Sequence, residues 1–289
     1  MIIGVDIGNS TVKTSTGVIF SSKLVKRRNT LSNSDLVTIN GESYVIGEGD
    51  YDTEYRKAHK ESYIPLLFTA LCKSTKEITV RVVLGLPIEQ FINDSETLRK
   101  RIVLNKSLRG TFNGEVREFY IADVEVFPEG LSAVDDSFEG IVVDIGGRTT
   151  DCCLITNNYG KRQIEKPISL PIGTLNLYSE FIKAINQEYQ LDLTINDTER
   201  IIQNGLSIYG EKKDISFALD TFKSFLDETL IKRLNLEYSI KTNNLIFIGG
   251  GSIILRNSIQ SRLKNASIIE NGLFANVLGF KELGEAIWI

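Results

Sequence analysis

Two segments of this chain, nearly half of its 289 residues apart, share one design. Ile2-Ile3-Gly4-Val5-Asp6-Ile7-Gly8-Asn9-Ser10-Thr11 and Val142-Val143-Asp144-Ile145-Gly146-Gly147-Arg148-Thr149-Thr150-Asp151 each pass from apolar, largely β-branched residues into Asp-Ile-Gly and then polar residues. A run of that kind ending in glycine reads as a buried strand that turns sharply and exposes backbone N–H groups at the turn. Such a turn can hold a phosphate, and the aspartate at its root can serve the metal ion that accompanies it. The duplication suggests two similar halves facing one polyphosphate ligand.

Composition narrows the setting. Lys plus Arg number 33 against 37 Asp plus Glu, a net charge of −4 with no basic block, which argues against direct binding to a nucleic-acid backbone. The apolar runs are short and interrupted, as in Val80-Arg81-Val82-Val83-Leu84, so no membrane span is expected. With a strand at the N-terminus and no basic region ahead of it, a secretion signal is not expected and a cytoplasmic location is. Cys152 and Cys153 are adjacent on a strand, so their side chains face opposite ways and read as core filling. The single histidine, His59, lies among Arg56, Lys57 and Lys60 and reads as a solvated surface position, which leaves no ligand set for zinc.

In chain order, Ile2–Asp6, Thr11–Thr16 and Val18–Val25 form a meander, with Lys13 on the second strand either exposed or leaning back over the first turn. Residues 32–73 are more polar, with a hairpin expected across Gly41-Glu42 and an amphipathic helix carrying Ile64, Leu67, Phe68 and Leu71. Ile78–Leu84 reads as a buried strand, followed by a helix within residues 89–103 and a hairpin about Asn113-Gly114. Val124–Phe127 delivers Pro128 and Glu129 at a strand end, and a helix is expected to begin over Leu131–Val134. Glu129 is then either a cleft carboxylate or a helix-start acid.

Beyond the second turn, Gly173 precedes a helix with a stripe of Tyr178, Phe181, Ile182, Ile185 and Tyr189, whose free N–H groups can approach phosphate. Helices are expected over Thr198–Gly205 and Ile215–Leu234, the latter with Leu219, Phe222, Phe225, Leu226 and Leu230 on one face. Leu245–Ile248 is a strand entering Gly249-Gly250-Gly251-Ser252, where a ligand can come close to the backbone. No Gly-Lys-Ser/Thr phosphate loop occurs.

These pieces together resemble the actin-like ATPase superfamily, and within it the plasmid-segregation actins of the ParM/StbA type. The matching segments are GVDIGNSTVK from Gly4, GLPIEQF from Gly85, FPEGLSAV from Phe127, VVDIGGRTTD from Val142, FIGGGS from Phe247 and FANVLGF from Phe274. The first and fourth mark the superfamily, while GLP, PEG and GRTTD in that order narrow the resemblance.

The resemblance implies an α/β fold of two lobes, each a five-stranded ribonuclease H-type mixed sheet, with a nucleotide cleft between them. Lobe I is expected over residues 1–140 (core 1–31 and 76–140, inserted subdomain about 32–75). Lobe II is expected over 141–289 (core 141–190 and 244–289, inserted subdomain about 191–243). By position, Asp6 and Asp144 would hold Mg²⁺ through water. Gly8, Asn9, Ser10, Gly146, Gly147, Arg148 and Thr149 would surround the β- and γ-phosphates, with Lys13 also on phosphate. Glu129 would orient or deprotonate the attacking water, and the segment Gly249, Gly250 and Gly251 would approach the α-phosphate and adenosine. Glu199 and Arg200 would face ribose and base.

The function implied is a filament-forming ATPase, using ATP or GTP, that polymerises with itself and reaches plasmid DNA through an adaptor protein. Two alternatives stay open: a small-molecule kinase on the same fold, and a non-polymerising actin-like component of a cell-envelope apparatus.

Overall fold

The computed structural model describes residues 1–28, 33–135 and 137–289. The expected boundary between residues 31 and 32 lies outside the described residues. The first sheet is built from β1 (Ile2–Ile7), β2 (Thr11–Thr14), β3 (Ile19–Ser21), β4 (Leu24–Lys26), β5 (Asp35–Ile39), β6 (Glu42–Ile46), β7 (Thr79–Leu86), β8 (Ser107–Phe112) and β9 (Glu115–Pro128). Helices α1 (Tyr63–Ser74) and α2 (Ile88–Leu104) accompany it.

The second half contains β10 (Gly140–Ile145), β11 (Thr150–Asn158), β12 (Lys161–Leu170), α3 (Thr174–Tyr189), α4 (Thr198–Asn204) and the hairpin β13 (Leu206–Ile208) with β14 (Glu211–Lys213). It continues through α5 (Ser216–Ser224), α6 (Lys232–Glu237), β15 (Leu245–Ile248), α7 (Gly249–Ile254), α8 (Arg256–Arg262), β16 (Ala266–Ile268) and α9 (Ala275–Trp288).

The duplication is visible in the sheets. The second sheet has the order β12-β11-β10-β15-β16, and the first begins β3-β2-β1-β7-β9. In both, the hairpin side is antiparallel and the crossover side parallel. β1 and β10 are therefore central strands with both faces covered, which is why they read as unbroken apolar runs. Among the described residues, no helix is long and apolar enough to cross a membrane.

The first sheet does not stop at five strands. β9 is 14 residues long; its second half pairs with β7 from Tyr120 to Pro128, and its first half extends past β7 and templates β8. β8 then carries β5, β6 and β4, giving nine strands. The polar insert is thus hydrogen-bonded into the first lobe's sheet.

Several local expectations shift. The strand expected over Val18–Val25 breaks at Ser22-Lys23, because β3 stays on β2 while β4 crosses to β6. The turn between β5 and β6 is Asn40-Gly41, not Gly41-Glu42: both residues have left-handed φ, 52° and 79°, the twist a two-residue hairpin requires. Asn113-Gly114 turns the next hairpin in the same way, as expected. The helix expected from Leu131 is a single 3₁₀ turn, Leu131–Ala133, after which Val134 is extended.

Between α5 and α6 the helix widens into a π segment, Phe225–Ile231. Its wider turn shifts the stripe, leaving Leu219 42% exposed while Phe225, Leu226 and Leu230 are buried. Cys152 and Cys153 are both free and buried, on opposite faces of β11 in separate apolar clusters. His59 is exposed, as expected.

The tail corrects the expectation that residues 244–289 all belong to the second lobe's core. α9 crosses back and packs on β1 and β7 of the first lobe, burying Val277 and Phe280 against Val83. Glycines allow that contact. A side chain on Gly4 would meet the Val277 carbonyl, and one on Gly279 would strike the Ser132 carbonyl.

Candidate functional site

The two sequence-related turns face each other. Asp6 and Asp144 each lie one residue before the end of their strands, β1 and β10, and line a cleft together with Gly8, Asn9, Ser10, Lys13, Gly146, Gly147 and Thr149. The turns approach so closely that a methyl group added at Gly147 would lie 2.6 Å from Ser10 Oγ. The cavity left between them is about 40 Å³. Gly249, with φ of +81°, passes directly beside Asp144 and Ile145, and Gly250 also lines the cleft.

Two predicted glycines do other work. The N–H groups of Thr174 and Leu175 donate to the carbonyls of Gly146 and Gly147, at 3.0 and 2.9 Å. The start of α3 is therefore spent on bracing the second turn. Gly173 permits that approach and offers no free donors, which corrects the expectation of a phosphate-facing helix start. Gly251 packs against the Ile145 and Thr174 side chains instead of lining the cleft.

Glu129 is a cleft carboxylate. It stands just beyond β9, its N–H donates to the Leu86 carbonyl at 2.8 Å, and its side chain is buried. With only a three-residue 3₁₀ turn following it, the helix-start reading lacks a helix dipole to support it. Asn276 of α9 ties this corner to the second lobe: it accepts from the Gly130 N–H at 2.8 Å and donates to Asp144 Oδ2 at 2.7 Å.

Four participants were missed from sequence. Lys57, in a 3₁₀ turn over Lys57–His59, is buried in the cleft, with Nζ 3.1 Å from Asp6 Oδ1 and 2.5 Å from Glu129 Oε1. Lys60 is equally buried and donates to Asn9 Oδ1. The others are Asn276 and Asp151, which accepts from Thr149 Oγ1 at 3.0 Å. Asp151 had a usable signal, since it stands across the second hairpin from Asp144 as Lys13 stands across the first from Asp6. Lys57 and Lys60 had none: a basic cluster in a polar insert reads as solvated surface.

Charge differs across the cleft. Burial alone would raise the Asp6 carboxyl, but Lys57, Lys13 and Lys60 outweigh it and hold Asp6 below the ordinary range. Asp144 is raised by burial, against the pull of Asn276. Asp151 is pushed to about 7 by burial and by Asp144. Burial lifts Glu129 to about 8 in spite of Lys57, and lowers Lys60 to about 8 with help from Lys57. Lys57 itself, although buried, is held protonated by Asp6 and Glu129.

Outside the cleft lining, Lys23 of the first half donates to Asn196 of the second and lies 4.6 Å over the Tyr51 ring. The charge of the Glu199 carboxylate reaches Lys23, Tyr51 and Tyr178, whereas Arg200 pairs with Asp197 at 3.0 Å. No hydrogen bond or ion pair ties Arg148 to the cleft among the described contacts, but its charge reaches Lys60.

The donor set suits a hydrated divalent ion. Magnesium takes one or two carboxylates and completes its octahedron with water and phosphate oxygens, and Asp6 and Asp144 would offer it one carboxylate from each turn. Among the described residues no group of three or more His, Cys, Asp or Glu is placed to enclose a metal.

Comparisons with known proteins agree with this geometry. Residues 4–131 match the actin-like protein N-terminal domain, and residues 142–261 match the archaeal actin homologue MreB-like C-terminal domain. An archaeal actin homolog of Thermoplasma acidophilum is 24% identical over 254 residues, covering 80% of this chain and 77% of that protein. An archaeal actin homolog solved in complex with ADP matches with a TM-score of 0.82 at 22% identity. A 15-stranded ParM filament from Clostridium botulinum gives 0.82 at 21%, and both matches cover 99% of each chain. With each half of the cleft matched by its own domain model, the chain combines an actin-like N-terminal domain with an MreB-like C-terminal domain and has the actin-like ATPase fold.

Proposed function

We propose that this protein is a nucleotide-dependent, filament-forming ATPase of the ParM type that hydrolyses Mg-ATP after assembly and moves plasmid DNA through an adaptor. The observation that carries the reading is the facing pair of turns, Asp6 with Gly8 and Asp144 with Gly146, with the buried Glu129 beside them. Phosphoryl transfer needs positioning and charge neutralisation more than a covalent nucleophile, and this cleft offers both.

In this mechanism the backbone N–H groups of the two turns cradle the β- and γ-phosphates, and Lys13, 3.9 Å from Asp6, adds a positive charge beside them. A magnesium ion held through water by Asp6 and Asp144 would supply charge neutralisation on the phosphates. Glu129 orients the attacking water in line with the γ-phosphorus or, ionised above its raised value of about 8, accepts its proton. Gly249 and Gly250 present backbone without side chains to the α-phosphate and adenosine, and Glu199 faces the ribose and base. The ParM filament and the archaeal actin homolog with ADP support self-assembly and nucleotide binding by likeness.

A chain of net charge −4 without a basic block reaches DNA only through another protein, so a gel shift at physiological salt should show no direct binding. The deciding experiment is right-angle light scattering on addition of Mg-ATP, followed by negative-stain microscopy and a phosphate-release assay. Filaments with accompanying hydrolysis support the proposal. A strictly monomeric ATPase would move the reading to a kinase or a non-polymerising module.

A further inference from the structure

The cleft contains a cation that the duplicated turns do not account for. Lys57 comes from the insert of the first lobe, not from either turn, yet its ammonium bridges Asp6 and Glu129. Its placement is built, because α2 holds the segment at several points. Gln90 accepts from the Lys57 N–H at 2.9 Å and donates to the Tyr55 carbonyl at 3.0 Å. Asp94, fully buried, takes both arms of the Arg56 guanidinium, and Arg101 donates to the Ala58 carbonyl at 2.8 Å. A surface lysine that merely folded inward would not need such a frame.

We propose that Lys57 is the residue by which this site recognises the terminal phosphoryl group of a nucleoside triphosphate. The inference rests on the ATPase reading above. If Glu129 positions the attacking water, the terminal phosphate lies beside Glu129, and Lys57 is the buried cation nearest to that place. Its four-carbon stem lets the ammonium move from the carboxylates to a phosphate oxygen while the pinned backbone stays in place. A nucleoside diphosphate ends one phosphate short and leaves Lys57 on Asp6 and Glu129.

The test is calorimetric titration of the full chain with Mg-ADP and with the Mg complex of a non-hydrolysable ATP analogue. Lys57→Met should weaken the triphosphate by about tenfold or more, the loss of one charge-assisted hydrogen bond, and change the diphosphate by less than about threefold. Lys57→Arg should recover part of the triphosphate affinity. Because Lys57→Met leaves two buried carboxylates facing each other, the double variant Lys57→Met/Glu129→Gln removes one of them and should show the same triphosphate-specific loss. Equal weakening of both nucleotides, or none, in the folded variants would make Lys57 a structural cation only and overturn the inference while leaving the ATPase reading intact. Failure of the parent to bind either nucleotide would overturn that reading and this inference with it.

Discussion

The two hairpins at the heart of the cleft have nearly the same backbone and opposite electrostatics. In the first, Asp6 pairs in register with Lys13; in the second, Asp144 pairs with Asp151. The insert adds Lys57 and Lys60 to the first turn, while the aspartate of the second is hydrogen-bonded by the neutral Asn276. One aspartate is consequently held below its ordinary range and the other above it. A duplicated motif therefore need not mean duplicated chemistry: the turn shape is repeated, and the charge on it is assigned by neighbours that are not.

The largest expected effect bears on what the hairpins share. Asp6→Ala and Asp144→Ala should each abolish Mg-dependent turnover, since each removes one carboxylate from the hydrated ion. Phosphate release measured across a magnesium titration checks this, and unchanged magnesium dependence in both variants would break the equivalence of the turns.

Next comes Glu129, which belongs to neither hairpin. Glu129→Ala should slow phosphate release by about 10²–10⁴-fold and leave nucleotide binding in place, so that filaments form and disassemble more slowly. A paired time course of phosphate release and light scattering reads both. Parental hydrolysis in the variant would remove the carboxylate from the mechanism.

Stability against pH sharpens the contrast between the turns. Asp6, with a lowered folded pKa, contributes stability above its unfolded value of 3.8 that is lost as pH falls through the folded value. Asp6→Asn should therefore destabilise the protein at neutral pH, by about 3 kcal/mol as for a broken buried ion pair, with a deficit that shrinks in acid. Asp151 has the opposite sign: folded at about 7 against 3.8, its ionisation is resisted by the fold, and that cost is present above pH 7 and absent below about 4. Asp151→Asn should stabilise at pH 8, on the order of 1–3 kcal/mol, with the gain fading between pH 7 and 4. Urea midpoints across pH measure both, and the same sign for the two variants would refute the electrostatic contrast.

The smallest effect concerns Asn276, which donates to Asp144 and joins the Glu129 corner to the second turn. Asn276→Ala should raise the magnesium concentration needed for half-maximal turnover by about tenfold, the usual consequence of losing a partner that orients a metal-binding carboxylate. An unshifted magnesium curve would mean that α9 serves only packing at this point.

Much of the fold could be read directly. β1 and β10 announce themselves as apolar runs because parallel central strands are buried on both faces, and Asn113-Gly114 marks its hairpin because few other residue pairs adopt two successive left-handed conformations. Residues whose roles follow from their own turn, Asp6, Gly8, Asp144 and Gly146, line the cleft as the pattern implies. Apart from local shifts such as the Asn40-Gly41 turn, the expectations that failed did so through distant contacts. The start of α3 is spent on the Gly146 and Gly147 carbonyls, the sheet of the first lobe grows past five strands because β9 outruns β7, and α9 returns to a sheet whose first strand lies at the other end of the chain.

The amino-acid order thus determined the two turns and their glycines, since strand burial, alternation and left-handed backbone conformations are local properties that each segment carries with it. Tertiary structure alone decided the charge of the cleft. Lys57 reads as solvated in its own neighbourhood and becomes the buried partner of Asp6 and Glu129 only when α2 pins its segment beside them. Coulomb interactions depend on separation in space and on the surrounding dielectric, and neither quantity exists until the chain has folded.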